Sequence, residues 1–503
     1  DADARGRPLR LCDGPACMAG GAAEIREAAV KELGDDVRWD VQRSSCLGLC
    51  DRAPAALIGK QACGPIRRHR LSAILNGCPG PASDHRQPLV GERRIAMARM
   101  ASIDPANYHS ARKAGAYLAL EKALDGAPGD VLREVARSGL RGCGGAGFPT
   151  GKKWQIVAES QANERYVVCN ADESEPGAFK DRVLMEGDPH LVIEGMALAA
   201  YAVGARQGVI YVRGEYETGA QRLERAIEQA REAGWIGRRH TRSGLELEIS
   251  VHRGAGAYIC GEETALLESL EGRRGEPRLR PPYPTTCGLF GKPTVVNNVE
   301  TLCMAPAIIR NRAAWFRTHG APGNPGSKVF SISGHVCRSA AFEAPLGITV
   351  RSILSRFGLG MRSGSKFKMA LTGGAAGTLI PEALLDVPLT YDSLERGVAL
   401  GSGVVIFFDA TVSAVDALEW LLRFFRRESC GKCTPCREGA RKAHEIVRRI
   451  AAGDGRIGDV AALERLAGLL RDTSFCGLGK SIELPINSAL AHFAEDFQRC
   501  GAR

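Results

Sequence analysis

The sequence predicts an α/β multidomain protein built from four structural units. Three observations carry this prediction. The chain has 503 residues, whereas a single domain usually holds about 100–200. Apolar residues make up 44% and charged residues 25%, which is the composition of a globular protein and excludes bulk disorder. The hydrophobic periodicity changes along the chain. A short mixed pattern of helix and strand comes first, then a longer alternation of helices and strands, then short strands, and finally helices.

The first unit, residues 1–85, is predicted as a small α/β domain. Alternating apolar residues indicate short strands at 8–12, 37–41 and 55–58. A helix with one apolar face is predicted at 22–33, where Gly34 stops it. Residues 86–110 are polar and rich in Arg, and we expect them to form a linker.

In the second unit, 111–325, helix and strand patterns alternate, which predicts a sheet covered by helices. Its expected helices lie at 129–138, 191–203 and 218–233, and its strands at 166–170, 208–212 and 246–251. The third unit, 326–408, is richer in strands, with candidates at 329–333, 367–371 and 404–408 and a helix at 350–357. The fourth, 409–503, is helical, at 412–427, 437–452, 460–471 and 488–498.

Charge and hydropathy narrow the functional classes. The 67 Lys and Arg against 57 Asp and Glu give a net charge of +10, spread along the chain. This favours an anionic ligand or an acidic partner over nucleic acid. No apolar run reaches the length of about 18 residues that a membrane span needs, so no span is predicted. The N-terminal residues show no signal peptide pattern, and we expect a cytoplasmic protein.

Cysteine is the informative residue type, because its 17 copies are clumped in a long chain. Clumped thiols in such a chain indicate metal or iron–sulfur ligation in a reducing compartment. Cys430, Cys433 and Cys436 follow a C-x2-C-x2-C spacing, and Cys476 is the remote fourth cysteine. Together they supply the four ligands of a [4Fe–4S] cluster. Zinc, which usually takes two C-x2-C pairs, and buried free cysteines are the alternatives.

A second set of cysteines lies in the first unit. Cys12 and Cys17 are separated by four residues, and Cys46 and Cys50 by three. Two such pairs fit a [2Fe–2S] centre, in which each pair holds one side. Zinc is again the alternative, although unequal spacings are atypical of zinc knuckles.

A glycine-rich loop lies early in the second unit. Five glycines fall within residues 139–147, so that successive backbone N–H groups are exposed, and Lys152 and Lys153 add positive charge. This combination predicts a phosphate-binding loop, with a flexible turn as the alternative. No strand immediately precedes the loop, so it is not a standard dinucleotide fingerprint. Cys143 lies inside it, as either a reactive thiol of lowered pKa or a packed side chain.

Two polar segments follow predicted strands. One carries Asn170, Asp172 and Glu175, and the other carries Glu262 and Glu263. Ligands of α/β sheets bind beyond the carboxyl ends of strands, although acidic residues also favour helix N-termini. Next to the glycine loop, these segments favour a dinucleotide or flavin pocket.

These motifs together carry a family resemblance. The chain resembles the NADH-binding flavoprotein subunit of respiratory complex I in the runs 142–154, 170–177, 261–263 and 296–298 and in the four cysteines near the C-terminus. The same module occurs in NAD-reducing hydrogenases and in NAD-dependent formate dehydrogenases that contain molybdenum or tungsten. The likeness covers residues 111–500, and the first 80 residues are similar to a thioredoxin-like [2Fe–2S] domain.

The resemblance implies a fold for each unit. Residues 1–85 would be a thioredoxin-like [2Fe–2S] domain, and 111–325 a Rossmann-like domain for FMN and NAD(H). Residues 326–408 would be a ubiquitin-like β-grasp domain, and 409–503 a C-terminal four-helix bundle with the [4Fe–4S] cluster. The resemblance also implies hydride transfer from NADH to FMN, from which single electrons pass to the clusters.

The resemblance assigns roles to individual residues as well. Glu175, the expected catalytic residue, would bind the nicotinamide carboxamide, and Glu263 the ribose or adenine side of NADH. Phe148 and Tyr283 would flank the adenine. The FMN phosphate and ribityl chain would face Lys153, Asn298 and Thr301. The isoalloxazine rings and the ribityl group of FMN would contact Asn170, Asp172, Gly261 and Glu262, with Tyr258 nearby. The cofactor-binding set also includes Gly142, Gly144, Gly145, Val296 and Asn297.

Three residues depart from the family pattern: Cys143 replaces an Arg, Ser174 replaces a Gly, and Ile156 replaces a second Phe at the adenine. The fused [2Fe–2S] domain disfavours standard complex I, and the lack of an appended two-cluster ferredoxin disfavours bifurcating hydrogenases. The loop 373–377 favours a formate dehydrogenase, whose molybdenum or tungsten catalytic subunit would be the partner in a hetero-oligomer. Hydrogenase subunits are the alternative partners. The alternative functions are the diaphorase subunit of an NAD-reducing hydrogenase or of a complex I-type NADH dehydrogenase, and an electron-transfer adaptor without NAD activity.

Overall fold

The computed structural model describes residues 6–33, 36, 38–75, 84–238 and 244–499. Within these ranges, helices and strands form four groups along the chain, and a sheet gives each of the first three groups its frame. No helix in the described ranges is long and apolar enough to cross a membrane.

The N-terminal group is a four-stranded sheet flanked by helices. Its strands are β1 Arg7–Cys12, β2 Trp39–Ser44, β3 Ala56–Ile58 and β4 Gln61–Cys63, and its helices are α1 Pro15–Ala19, α2 Ala22–Leu33 and α3 Leu71–Leu75. The strand order is β2-β1-β3-β4, with β2 parallel and β3 antiparallel to β1. Helix α2 has the predicted bounds and buries Ile25, Ala29 and Leu33 along one face.

The second strand of this group lies later than predicted. Its pairing with β1 runs from Trp39 to Ser44, so that β2 ends close to the cysteine at position 46 rather than at position 41. The proposed helix stop at Gly34 and the start of the predicted strand at position 37 lie outside the described residues.

The second group is a parallel sheet covered by helices, as the alternation predicts. Its strands are β5 Tyr166–Ala171, β6 Gln207–Val212, β7 Glu248–Arg253 and β8 Thr294–Asn298. Its helices are α4 Tyr108–Lys113, α5 Leu118–Leu124, α6 Pro128–Ser138, α7 Thr150–Ala158, α8 Lys180–Gly187, α9 Pro189–Val203, α10 Glu217–Glu232, α11 Glu263–Leu270, α12 Pro284–Cys287 and α13 Val299–Phe316. The strand order β7-β6-β5-β8 reverses direction beside β5, which creates a topological switch point between β5 and β8.

The third group is built on a mixed five-stranded sheet. A two-stranded ribbon, β9 Gly320–Ala321 and β10 Asn324–Pro325, precedes it. The strands of the sheet are β11 Ser327–Gly334, β12 Ala340–Pro345, β13 Phe367–Thr372, β14 Thr378–Ile380 and β15 Val404–Asp409, and the helix α14 Val350–Ser352 continues as a π-helical turn over Ile353–Phe357. The order is β12-β11-β15-β13-β14, and β11 and β15 pair in parallel at its centre. β15 is buried along its whole length, which explains its unbroken apolar run.

The fourth group is helical, as predicted. Its members are α15 Ala414–Glu428, α16 Thr434–Ala451, α17 Asp459–Thr473, α18 Gly477–Ser481, α19 Glu483–His492 and α20 Ala494–Arg499. The single helix predicted at 488–498 is wrong, because the chain leaves the helical conformation at Phe493 and two helices meet there. Helix α16 begins earlier than predicted, with Pro435 in its first turn, where proline is favoured.

The segment predicted as a linker is not an open connection. Residues 84–100, which we call the strap, are packed between the other groups. The backbone N–H groups of Ala96 and Met97 donate to the buried Glu343 carboxylate of β12 (3.2 and 2.9 Å). Arg99 pairs with Asp188 at 2.8 Å. His85 meets Asp51 of the N-terminal group at 3.1 Å. The strap therefore contacts each of the first three groups, a result that its polar composition did not indicate.

Candidate functional site

A cavity of about 440 Å³ lies where strands β5 and β8 end. Nine of the predicted residues line it: Gly144, Gly145, Asn170, Asp172, Glu175, Tyr258, Gly261, Glu262 and Asn298. Asn170 and Asn298 are register partners at the ends of the two strands. The cavity therefore opens at the switch point of the sheet, where α/β proteins bind ligands, and its volume suits a small-molecule site.

Other parts of the chain that line the cavity were not predicted from the sequence. The second group also contributes Glu173, Lys180 and Asp181; the third group adds Gly373, Ala376, Gly401 and Ser402; and the helical group adds Gly477, Leu478 and Ser481. The glycine-rich run 373–377 was a signal of close backbone approach. Nothing in the local sequence distinguishes Lys180 from a surface lysine.

The glycine loop approaches the cavity closely. The N–H of Gly142 donates to the carbonyl of Phe148 (2.9 Å), which closes the loop at its base. A Cβ added to Gly144 would lie 3.2 Å from the Cβ of Asn298. Helix α7 begins directly after the loop, at Thr150, so the loop leads into a helix N-terminus. This is the arrangement expected of a phosphate-binding loop.

Asn298 belongs to a buried ionic network at the cavity wall. Its side-chain amide donates to Asp181 (2.7 Å) and its Oδ1 accepts from the Lys180 ammonium (3.2 Å). Lys180 also pairs with Asp181 at 2.7 Å and with Glu300 at 2.9 Å. Burial alone would lower the pKa of Lys180, but these carboxylates outweigh it and raise the pKa. Lys180 is therefore a fixed cation beside the cavity.

Three buried polar atoms at the cavity have no hydrogen-bond partner among the described residues. They are Asp172 Oδ1, Glu262 Oε1 and Ser402 Oγ. Burial raises the pKa of Asp172 to about 8. The other oxygen of Glu262 caps α11 by accepting the N–H groups of Thr264 and Ala265, at 3.0 Å each. Because buried polar atoms are normally hydrogen-bonded, these three fit a polar ligand such as FMN.

Glu175 is held in the cavity wall at two points. The Tyr258 hydroxyl donates to one oxygen (2.7 Å) and the Ala376 N–H to the other (3.2 Å). The third group approaches closely here, since a Cβ on Gly374 would lie 2.4 Å from Glu175 Cγ. Burial raises the pKa of Glu175 to about 7, against the lowering effect of the Tyr258 hydrogen bond. Near neutral pH, Glu175 therefore changes between a charged acceptor and a neutral acid.

Some predicted cofactor residues lie outside the cavity lining. The Lys153 ammonium pairs with Glu263 (3.0 Å) and donates to the carbonyl of Val296 (2.9 Å). The Asn297 side chain is buried and accepts a hydrogen bond from the Trp154 indole (2.7 Å). In the protein alone, these groups support the glycine loop and the start of α11 rather than facing the cavity.

The residues expected around the adenine are exposed. Phe148 is 43% exposed, Tyr283 54% and Ile156 37%, which is unusual for large apolar side chains. The Lys153 ammonium lies 6.0 Å from the centre of the Phe148 ring. Exposed apolar side chains next to a charged pair fit the predicted contact with a flat heterocycle.

Cys143 is packed rather than reactive. Its side chain is 2% exposed, and its backbone N–H donates to the Thr301 hydroxyl (2.8 Å). Burial raises the pKa of Cys143 to about 12, whereas a reactive thiol needs a lowered pKa and access to solvent. Of the two alternatives for this residue, the structure supports packing.

The four predicted cysteines of the N-terminal group come together. Cys12 ends β1, Cys17 lies in α1, and Cys46 and Cys50 flank the turn after β2; all four are buried. Hydrogen-bond contacts join the Cys12 thiol to Cys17 and Cys46, and Cys46 to Cys50. Four thiols that meet in one buried place fit a [2Fe–2S] centre.

The four cysteines near the C-terminus also meet. Cys430, Cys433, Cys436 and Cys476 line one small cavity, in which the first two are half-buried and the last two are buried. Cys433 and Cys476 directly precede α16 and α18, and burial raises the pKa of Cys476 in the protein alone. This donor set fits a [4Fe–4S] cluster. Among the described residues, no group of three or more His, Cys, Asp or Glu side chains has an arrangement that could hold a single metal ion.

The flavin-sized cavity lies between the two cysteine sites. Ile259 and Leu478 line both the cavity and the C-terminal cysteine site. Arg213 joins the cavity residue Glu173 to the loop of Cys46 through hydrogen bonds to both backbone carbonyls (2.6 and 2.5 Å). The three sites therefore form one continuous path through the molecule.

Comparison with known families gives matches along most of the chain. The model of the Nuo51 FMN-binding domain matches residues 135–307, and that of the NADH-ubiquinone oxidoreductase-F iron–sulfur binding region matches 416–500. The model of the thioredoxin-like [2Fe–2S] ferredoxin matches residues 3–79.

Similar proteins include components of two kinds of complex. The F 2 subunit of the NADH-quinone oxidoreductase of Rhizobium meliloti (strain 1021) is 46% identical over 76% of this chain and 91% of its own. The HndC subunit of the NADP-reducing hydrogenase of Solidesulfovibrio fructosivorans is 43% identical over 80% of this chain and 83% of its own. A crystal structure of NAD⁺-reducing [NiFe]-hydrogenase in the air-oxidized state matches with a TM-score of 0.87 at 33% identity, and covers 99% of this chain and 85% of that one.

The fold and the site define an NADH-binding flavoprotein with iron–sulfur clusters for electron transfer, that is, a subunit of an NADH oxidoreductase. The predicted cofactors FMN, [4Fe–4S] and [2Fe–2S] are confirmed at the level of the domains that hold them. The chain belongs to the family of NADH-binding flavoprotein subunits of respiratory complex I, joined here to a thioredoxin-like [2Fe–2S] domain.

Proposed function

We propose that this chain is the NAD(H)-oxidoreducing subunit of a larger complex and passes electrons between NAD(H) and a partner protein. The observation that carries the proposal is the position of the cavity between two cysteine sites. Bound FMN accepts two electrons as a hydride and releases them singly, which is the conversion that iron–sulfur clusters require. The chain itself supplies binding, orientation and a fixed electrostatic environment.

The cavity residues divide by what they offer the flavin. Asp172, Glu262 and Ser402 have buried oxygens available to hydrogen-bond its polar groups. Asn298 and the glycine loop would hold the phosphate end, near the cation of Lys180. Lys153 reaches the phosphate in this proposal only if its ammonium leaves the contact with Glu263.

Glu175 is the group that would orient the nicotinamide. Its ionised oxygens accept hydrogen bonds from Tyr258 and Ala376 and keep further lone pairs for the carboxamide N–H of NADH. Phe148 and Tyr283 would pack on the adenine, and Glu263 would bind the ribose or adenine side. Because Glu175 is held at both oxygens, it fixes one orientation of the ring, and no proton has to move through it.

The decisive experiment separates this function from an electron-transfer adaptor without NAD activity. The full chain, reconstituted with FMN and iron–sulfur clusters, should reduce ferricyanide with NADH. Absence of that activity in a preparation that holds FMN and both clusters would support the adaptor. A variant of the exposed pair of β7, Arg253→Gln, is a control that should keep the activity, because Arg253 pairs with the surface carboxylates Glu217 and Glu224.

We also propose that the four groups are four domains with the boundaries 1–85, 111–325, 326–408 and 409–503, with a connecting segment at 86–110. The parallel pairing of β11 with β15 at the centre of the mixed sheet supports a β-grasp domain for the third. Helices α15, α16, α17 and α19 pack on one another in sequence, which supports a four-helix bundle for the fourth. The clumped thiols support a reducing compartment, such as the cytoplasm.

The partner reaction has two candidates. The loop 373–377 supports an NAD-dependent formate dehydrogenase, in which a molybdenum or tungsten subunit would deliver electrons to this chain. The match of a NAD⁺-reducing [NiFe]-hydrogenase along 99% of the chain, the N-terminal group included, supports hydrogen as the second candidate. Affinity purification of the chain from its native host separates them, because a molybdopterin-bearing large subunit supports formate and a nickel–iron pair supports hydrogen.

A further inference from the structure

Arg213 connects the N-terminal cysteine site to the flavin cavity. It follows β6 directly and is 3% exposed. Its guanidinium donates to the carbonyl of Cys46 (2.5 Å), to the carbonyl of Glu173 (2.6 Å) and to the carboxylate of Glu215 (3.0 Å). Its plane also lies over the Tyr216 ring, 5.0 Å from the centre. These polar contacts are all made inside the protein, and two of them join different functional sites.

A second arginine holds the other side of the same loop. Arg182 donates to the carbonyl of Gly48 (3.1 Å) and pairs with Asp51 at 2.7 Å. It is balanced by Asp51 and by Glu186. Arg213 pairs with one carboxylate among the described residues, Glu215, and its nearest contact on the cysteine loop is a neutral carbonyl. Of the two, Arg213 is the one whose positive charge acts on Cys46 itself.

We propose that Arg213 is a positioning residue that fixes the loop of Cys46 against the flavin cavity and raises the reduction potential of the [2Fe–2S] cluster. The inference rests on the proposed function, in which Cys46 is a ligand of that cluster. Reduction adds one negative charge to the cluster. A buried cation at hydrogen-bond distance from a ligand's carbonyl favours the reduced form, since charges interact strongly away from water. Hydrogen bonds around the ligands are a recognised means of setting such potentials.

Removing the charge of Arg213 and removing the charge of its partner Glu215 should shift the [2Fe–2S] midpoint potential in opposite directions. Arg213→Gln removes the cation and keeps a hydrogen-bond donor, so the midpoint potential of the [2Fe–2S] signal should fall. Glu215→Gln removes the balancing negative charge and keeps an acceptor for Arg213, so the midpoint should rise. Arg253→Gln is the matched control: Arg253 is the register partner of Val212 at the end of the neighbouring strand, but it is bound to surface carboxylates. Its midpoint should equal that of the unaltered protein.

The experiment is a redox titration of the full chain with mediators, followed by EPR of both clusters. The [4Fe–4S] midpoint is the internal reference and should stay in place in all three variants. Unchanged [2Fe–2S] midpoints in Arg213→Gln and Glu215→Gln, with normal signal amplitude, would overturn the inference. If Arg213→Gln loses the [2Fe–2S] cluster, Glu215→Gln alone tests the inference. A raised [2Fe–2S] midpoint in that variant supports the inference, and an unchanged midpoint overturns it. An unaltered protein without any [2Fe–2S] signal would instead overturn the proposed function, and this inference with it.

Discussion

The two cysteine sites are attached to the flavin cavity in different ways. Most apolar residues of the N-terminal group form two small clusters of their own, and the cysteine loop meets the cavity mainly through arginine side chains and backbone carbonyls. The helical group shares the large core of the flavin domain, and Leu478 reaches from one site to the other. Polar bonds therefore dominate the first contact, to which Ala16, Cys46 and Cys50 add a small apolar part. The second contact is mainly apolar packing, to which polar bonds such as that from Arg274 to the Cys430 carbonyl (2.7 Å) are added.

Exposure differs between the sites as well. All four N-terminal cysteines are buried, while Cys430 and Cys433 are half-buried at the surface of the helical group. A partner protein can thus approach the C-terminal site directly. The N-terminal site is buried and is joined to a residue of the flavin cavity by Arg213, and we expect it to exchange electrons with the flavin rather than with a partner.

The largest expected effect is the loss of one cluster at a time. Cys433→Ser should remove the [4Fe–4S] EPR signal and lower the iron content from about six to about two atoms per chain. Electron delivery to a partner should stop, while bleaching of FMN by NADH should remain in a single turnover. Cys46→Ser should remove the [2Fe–2S] signal and leave delivery to the partner intact.

Both results bear on the comparison of the two sites. Iron near two atoms in the unaltered protein would contradict the C-terminal cluster. Loss of FMN from Cys433→Ser would mean that this cluster holds the cavity together, so that the apolar contact is not sufficient by itself.

The next effect concerns the cavity that lies between the sites. Glu175→Gln should lower kcat/KM for NADH by roughly 10- to 100-fold, the value of one hydrogen bond to a charged group, and should keep FMN bound. Because the pKa of Glu175 is raised to about 7, it ionises as the pH rises through neutrality, and KM for NADH should fall over that range. The variant should lack this inflection. Steady-state kinetics across the range measure both, and an identical inflection in Glu175→Gln would assign it to another group.

A smaller effect distinguishes the two cysteine loops sterically. Gly48 and Gly431 both adopt a positive φ, at 66° and 82°. A Cβ on Gly48 would lie 2.1 Å from the Tyr216 hydroxyl, whereas on Gly431 it meets nothing closer than 3.9 Å. Backbone strain should destabilise both alanine variants by about 1–2 kcal/mol. Overpacking should destabilise Gly48→Ala by about 1–3 kcal/mol more.

Thermal unfolding of the two variants, with each cluster followed by its absorption, measures this difference. Gly48→Ala should release the [2Fe–2S] site first. Equal losses in the two variants would show that the N-terminal group does not depend on its close fit to Tyr216.

The smallest effect is expected at Cys143. Because burial raises its pKa to about 12, iodoacetamide at mild pH should leave Cys143 unlabelled, while the exposed Cys287 and Cys337 react. NADH should make no difference to its labelling. Mass spectrometry of the peptides measures this, and labelling of Cys143 that NADH prevents would restore the reactive alternative.

The sequence predicted those parts of the site whose chemistry is local. The cysteine spacing indicated both cluster sites, because most of the cysteines that hold one cluster lie within a few residues of another in the sequence. Asn170 and Asp172 were predicted because ligand groups follow strands, whereas Glu262 lies well after the end of β7 and caps α11.

The missed parts depend on tertiary packing. Lys180 is a cation only because Asp181 and Glu300 surround it, and Ser402 reaches the cavity from another group. Strand β8 is short and ends in two asparagines, and α13 is buried around most of its surface, so neither shows the expected periodicity. The strap was predicted as a linker because its partners, among them Asp188 and Glu343, lie far away in the sequence.

The strap has a further consequence for how the N-terminal group stays in place. Covalent connection turns its docking into an intramolecular event, at an effective concentration on the order of millimolar for a short tether. At that concentration an interface of a few polar bonds remains closed even if it would dissociate as two separate chains. The interface residues therefore need not supply the whole affinity, so that Arg213 can set the electrostatic potential at the cluster while Arg182 holds the loop.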